Sequence, residues 1–149
     1  MKHSRIGTAF VALAVGSVFV LACGLFGGSP TASFKAYFEA SKKKDVAGMK
    51  KYLTKGSLEM TEKTAKDQGK TLDEVLMAQA ESSAKSNEKE LETRNEKITG
   101  DTATLEIKNQ TNGDWMTMPF VKEDGTWKIA IDKFVEDMLD KIKNKTSKP

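Results

Sequence analysis

The chain has 149 residues, 38% hydrophobic, 30% charged and 7% aromatic, with one Cys and one His. This is about one domain of ordinary globular composition. Residues 1–22 hold two of the 24 Lys/Arg and none of the 21 Asp/Glu, so the formal charge falls from +3 to +1 beyond them. That near-neutral balance gives no sign of a polyanion partner, and no basic-aromatic stripe marks a nucleic-acid surface. The region beyond residue 22 has no histidine, and its one cysteine, Cys23, stands first in it. A Ser-His-Asp or Cys-His nucleophile and a His- or Cys-based zinc site are therefore excluded there.

In chain order, Lys2 and Arg5 precede a 17-residue uncharged run, Ile6 to Ala22. A positive flank, an apolar run and a small residue at its end describe a secretory signal. The alternative is an uncleaved spanning helix, which at 1.5 Å per residue would reach about 26 Å, short of the roughly 30 Å hydrocarbon core. Val20-Leu21-Ala22-Cys23 closes the run and resembles the bacterial lipobox, in which apolar and small residues precede a modified cysteine. Leu21 is a mild departure, since smaller residues are commoner there. The resemblance implies cleavage before Cys23, diacylglycerol on its sulfur, usually a further fatty acyl group such as palmitate on its new amine, and a membrane as partner. Two or more acyl chains anchor stably where one does not. Gly24 stands where an Asp would mark inner-membrane retention, so an outer membrane is expected in a Gram-negative envelope. Residues 23–30 then read as the lipidated residue and a short Gly-rich tether.

From residue 31 the spacing turns helical. Thr31 is expected to cap a helix with Phe34, Tyr37 and Phe38 on its apolar face. Asp45 caps a second, carrying Val46, Met49, Tyr52 and Leu53 and stopped by Gly56. Ser57 opens a weaker one, broken near Gly69, and Thr71 to Glu74 forms a capping box ahead of Leu72, Val75, Leu76 and Gln79. Strands follow. Glu88 to Ile98 alternates poorly; Ala103, Leu105 and Ile107 alternate cleanly; Asn112-Gly113 signals a hairpin. Met116, Met118 and Phe120 alternate again, with Pro119 better suited to an edge or bulge. Trp127, Ile129 and Ile131 complete the last strand. Asp132 opens a final helix bearing Phe134, Val135, Met138, Leu139 and Ile142. The expected fold is α+β: N-terminal helices packed against an antiparallel sheet of about four strands, plus a C-terminal helix.

Phe34 to Ala40, with Asp45 and Met49, resembles the first helices of the nuclear transport factor 2-like superfamily. Met118 to Ile129 is similar to the closing hairpin of its bacterial lipoprotein branch, a lumazine-binding-like domain of unknown function. The resemblance implies a cone, a curved sheet wrapped over helices and often open at one end. It stops near Ile131, short of the last helix.

Catalytic members of that superfamily place Asp, His or Tyr inside the cone. None of their motifs matches here, so no catalytic residue carries over and no cofactor is expected; an acid-base enzyme would need a buried carboxyl with a raised pKa. Tyr37, Trp115, Met116, Met118 and Trp127 are the candidate lining of a pocket for a small apolar ligand, although core packing explains the same spacing. Trp115 lies on the opposite parity from Met116, so its exposure discriminates. Glu88, Glu90 and Glu92 share a parity but lack a calcium-binding loop, and no metal site is expected. Lys141, Lys143, Lys145 and Lys148 read as a solvated basic tail or a contact with an anionic membrane. The expected function is a lipid-anchored, non-catalytic binding or scaffolding domain at the cell envelope, with a protein partner or a small apolar ligand.

Overall fold

The computed structural model describes residues 28–85, 91–109 and 112–146. The signal-like run and Cys23 lie outside these residues. Helix α1 (Pro30–Lys42) buries Ser33, Tyr37, Ala40 and Ser41, one stripe at helical spacing. The cap expected at Thr31 falls on Ser29, whose hydroxyl accepts from the Ala32 N–H at 3.1 Å. Pro30 holds the first helical position, where a missing N–H costs nothing. Thr31 is drawn elsewhere: its N–H and hydroxyl both donate to Glu96 Oε2, at 2.8 and 2.6 Å.

Asp45 caps α2 (Val46–Lys51), accepting from the Gly48 N–H at 2.9 Å. The helix ends before Gly56 because Leu53 is needed to pair with the end of the last strand. Leu53 bridges Ile129 in parallel; the Ile129 N–H donates to Tyr52 O, and the Thr54 N–H to Ile129 O. Thr54 then caps α3 (Lys55–Asp67), so Gly56 sits in the first turn of a helix and ends none. The capping box at Thr71 is formed: the Thr71 N–H donates to Glu74 Oε2 at 2.7 Å and the Glu74 N–H to Thr71 Oγ1 at 3.2 Å. It opens α4 (Leu72–Lys85), which buries Leu76 and Ala80.

Four antiparallel strands follow in simple order: β1 (Thr93–Thr99), β2 (Thr102–Lys108), β3 (Trp115–Glu123) and β4 (Thr126–Ile129). β1 is shorter than the expected strand, whose residues 88–90 lie outside the described residues. Its register breaks between Arg94 and Lys97, where Asn95 has φ +53°. This is a bulge, and it explains the poor alternation. Pro119 stands in an inner strand, yet its carbonyl accepts from Ala130, just past the end of β4. Its missing N–H thus faces a place where no strand residue needs it.

The inner sheet face carries Ala103, Leu105, Ile107, Phe120, Trp127 and Ile129. It packs with Tyr37, Ala40, Met49, Leu53, Leu76 and Ala80 into one core. The last helix, α5 (Ile131–Thr146), packs against α3 and β3. The architecture is α+β, with five helices and an open four-stranded antiparallel sheet. Among the described residues no helix is long and apolar enough to cross a membrane.

Candidate functional site

The five expected pocket residues do not share one surface. Tyr37 and Trp127 are buried in the core, and Met118 packs against it half-buried. Met116 pairs with buried Ile107 and so faces inward, half-exposed. Trp115 pairs with Lys108 on the opposite, outer face. The described cavities are elsewhere. One of about 360 Å³ is lined by Ser33, Lys51, Tyr52 and Thr126 at the start of α1. Another, of about 370 Å³, runs along the outer rows Lys97–Thr104–Pro119 and Thr99–Thr102–Val121 to Lys133 of α5.

Tyr37 carries the most perturbed group described. Its hydroxyl is buried without a hydrogen bond of ordinary geometry. Burial pushes its pKa up to about 12, against a weaker opposing pull from the Gln79 side chain. A phenol so placed stays protonated at neutral pH. Because the orphaned hydroxyl carries a desolvation cost, Tyr37→Phe is expected to gain about 1 kcal/mol, or about 4 °C in Tm. The sign of the pH effect follows from the raised pKa. Stability from the neutral phenol is complete below pH 10 and is lost as pH rises through 12, at up to about 1.4 kcal/mol per unit. Melts of both proteins at pH 8 and pH 11 check this, since the gap between them should widen at the higher pH.

On the outer face the residues are arranged for contact. The Arg94 guanidinium lies 3.8 Å from the Trp115 ring centroid, and Lys108 Nζ lies 5.9 Å from it. Arg94 Nε donates to Glu106 Oε2 at 2.6 Å, and Asn95 Nδ2 donates to the same oxygen at 3.0 Å. Adjacent strand residues normally point to opposite faces, and the bulge at Asn95 lets both reach one carboxylate. Arg94 and Asn95 hold the Glu106 carboxyl below its usual range. Lys108 pairs with Glu92 at 2.8 Å, which engages the one described member of the acidic strand set. Trp115 thus stands half-exposed among charges, a composition favoured at binding hot spots. Sequence parity separated Trp115 from the core, but nothing in the sequence marked Arg94 or Asn95 as its neighbours.

A third cluster joins α3 to α5. Ser57 Oγ lies 2.8 Å from Asp132 Oδ1 and accepts from the Ile131 N–H at 2.8 Å. The Thr54 hydroxyl lies 3.0 Å from the same carboxylate oxygen and accepts from the Ser57 N–H. Burial alone would raise the Asp132 pKa, but hydrogen bonds from Ser57, Thr54 and the α5 backbone outweigh it and hold the pKa below the ordinary value. Ser57 is fully buried, and its hydroxyl is within hydrogen-bond distance of that carboxylate, of the Ile129 carbonyl at 3.2 Å and of the Thr54 hydroxyl at 2.7 Å. The cluster is a joint between helices; an accessible nucleophile with a base it is not.

Residues 22–130 match the family model of a domain of unknown function, DUF4878. The chain belongs to the DUF4878 family. The matched region starts beside Cys23 and ends at Ala130, so it holds all four strands and leaves α5 outside. No curated protein and no solved structure matches the chain. Among the described residues no group of three or more acidic, His or Cys side chains is placed to hold a metal ion. Among its described residues the DUF4878 region thus presents a charged-aromatic surface, a packed core and open cavities.

Proposed function

We propose that this DUF4878 protein is a lipid-anchored, exported, non-catalytic binding or scaffolding domain at a bacterial cell envelope. The observation that carries the reading is the junction at Cys23. A positive flank and a 17-residue apolar run end there, the family match begins one residue earlier, and α1 starts at Pro30. Seven residues of chain span at most about 25 Å, so the folded region would stay beside the bilayer. The outer-face stack of Trp115 and Arg94 supports binding of a protein partner, because it offers an aromatic platform already fixed in place. The helices-then-meander order and the closing Gly125-Thr126-Trp127 hairpin support the nuclear transport factor 2-like resemblance. A carrier for a small apolar ligand is less well supported, because Tyr37 and Trp127 fill the core.

The test is the intact mass of the protein extracted from membranes, beside a Cys23→Ser variant. The expected wild-type mass is that of a chain beginning at Cys23 and carrying diacylglycerol, with or without a further acyl group; the variant should carry none. An unmodified wild-type chain that keeps Met1 to Ala22 would overturn the anchor.

A further inference from the structure

Helix α5 changes character halfway along. Its first part docks: Ile131 packs on the core, Phe134 and Val135 are half-buried, and Asp132 is held by Ser57 and Thr54. Its second part shows large apolar side chains to solvent, with Met138, Leu139 and Ile142 exposed by 47, 50 and 56%. These three continue the stripe begun by Ile131, Phe134 and Val135, at the spacing of one helix face. Charge divides a few residues further on, between Asp140 and Lys141. Residues 131–140 carry four acids and one lysine, whereas residues 141–149 carry four lysines and no acid. Of the three exposed apolar residues, Ile142 falls in the basic segment, while Met138 and Leu139 lie just ahead of it.

Around the helix, Lys141 and Lys143 flank the apolar stripe on either side, with Asp137 and Glu136 next beyond them and Asp140 on the far side. Lysines at the rim of an apolar stripe can bury their methylene stems while the ammonium groups meet lipid phosphates. In a parallel pairing of α5 with a second copy, the same rim would bring lysine towards lysine across the seam. An anionic surface satisfies both the stripe and its rim.

We infer that the second half of α5 docks on an anionic lipid bilayer, with Met138, Leu139 and Ile142 in the interface and Lys141 and Lys143 at the headgroups. The inference rests on the lipid-anchored reading, which keeps the domain within reach of a bilayer. It adds a second contact that orients the domain against the bilayer.

The test uses the full, membrane-extracted protein carrying Leu139→Cys, labelled with an environment-sensitive dye through a maleimide. Lipid-modified Cys23 cannot take the label, so dye on the unmutated protein would expose failure of the anchor separately. The labelled protein is reconstituted into vesicles of phosphatidylcholine alone or with phosphatidylglycerol. The expected result is a blue-shifted emission, quenched by brominated lipid, on the phosphatidylglycerol vesicles. The ratio of inserted to free α5 should fall about fivefold for each of Lys141→Gln and Lys143→Gln, and further at high salt. Floating, anchored protein whose dye stays in water on both vesicles would overturn the docking while leaving the anchor intact. Dye self-quenching that grows with protein density, without brominated-lipid quenching, would assign the stripe to a second copy and overturn it equally.

Discussion

Ser57→Ala is expected to destabilise the domain by about 2–3 kcal/mol, because one hydroxyl serves two elements. The Ile131 N–H loses its acceptor at the start of α5, and Asp132 loses a donor in a part-buried setting. An unpaired buried donor costs about 1–3 kcal/mol, and hydrogen bonds to a charged group exceed neutral ones. Thr54 compensates in part, since its hydroxyl lies 3.0 Å from the carboxylate and keeps that contact. Urea unfolding gives the size of the effect, and its pH dependence gives the cause. Asp132 has a depressed pKa in the folded state. Its contribution is present above the ordinary aspartate value and is lost as pH falls through the lower folded value. Asp132→Asn should therefore differ most from wild type near neutrality and converge with it below about pH 4. A gap that stays constant down to pH 2 would mean that the carboxylate charge plays no part in the joint.

This joint shows where sequence reading reaches its limit. Asp132 is legible as a helix-start residue, and its position at the opening of α5 follows from local preference alone. Its partners are 75 and 78 residues away, on a helix whose own cap, Thr54, is hidden by a competing stop signal at Gly56. That glycine reads as a helix terminator, yet it serves as a gap. A Cβ there would stand 2.5 Å from Asp132 Oδ2, so any other residue would push that carboxylate out of its place in the joint. The requirement is tertiary and leaves no periodic trace. By contrast, the clean alternation of β2, the Asn112-Gly113 turn and the capping box of α4 are short-range signals, and each corresponds to an observed element.

The candidate surface divides the same way. Trp115 has the wrong parity for the core, a period-2 fact visible in the sequence, and it is found on the outer face beside Lys108. Arg94 reaches its ring across β2 from β1 only because of a bulge that the sequence expresses as disorderly alternation. Register sets such contacts, and a one-residue change in register reassigns every side chain beyond it. The Met and aromatic set was ambiguous for a different reason. Packed cores and apolar pockets draw on the same side chains, and only the space left between elements separates them.

Phe120→Ala is expected to have the largest effect of any single truncation in the sheet, about 3–5 kcal/mol, enough to unfold a marginal domain. Phe120 is 1% exposed and lies in the cross-strand row Ile98–Ala103–Phe120–Ile129 at the centre of the inner face. Its neighbours in that row are held by the register of β2 and by the junction of β4 with residues 52–54, so they cannot collapse into the space left behind. Ile98 provides the internal comparison. It stands in the same row, with the same strand geometry, but on the edge strand and 52% exposed. Ile98→Ala removes little buried area and no enclosed volume, so its cost should stay under about 1 kcal/mol. Measuring both by urea unfolding separates burial from strand propensity, since β-preference is lost in both replacements. Equal losses at the two positions would mean that the inner face is not capped by helices at Phe120 as the structure has it. A several-fold difference follows if the core is sealed in the middle of the sheet and open along β1.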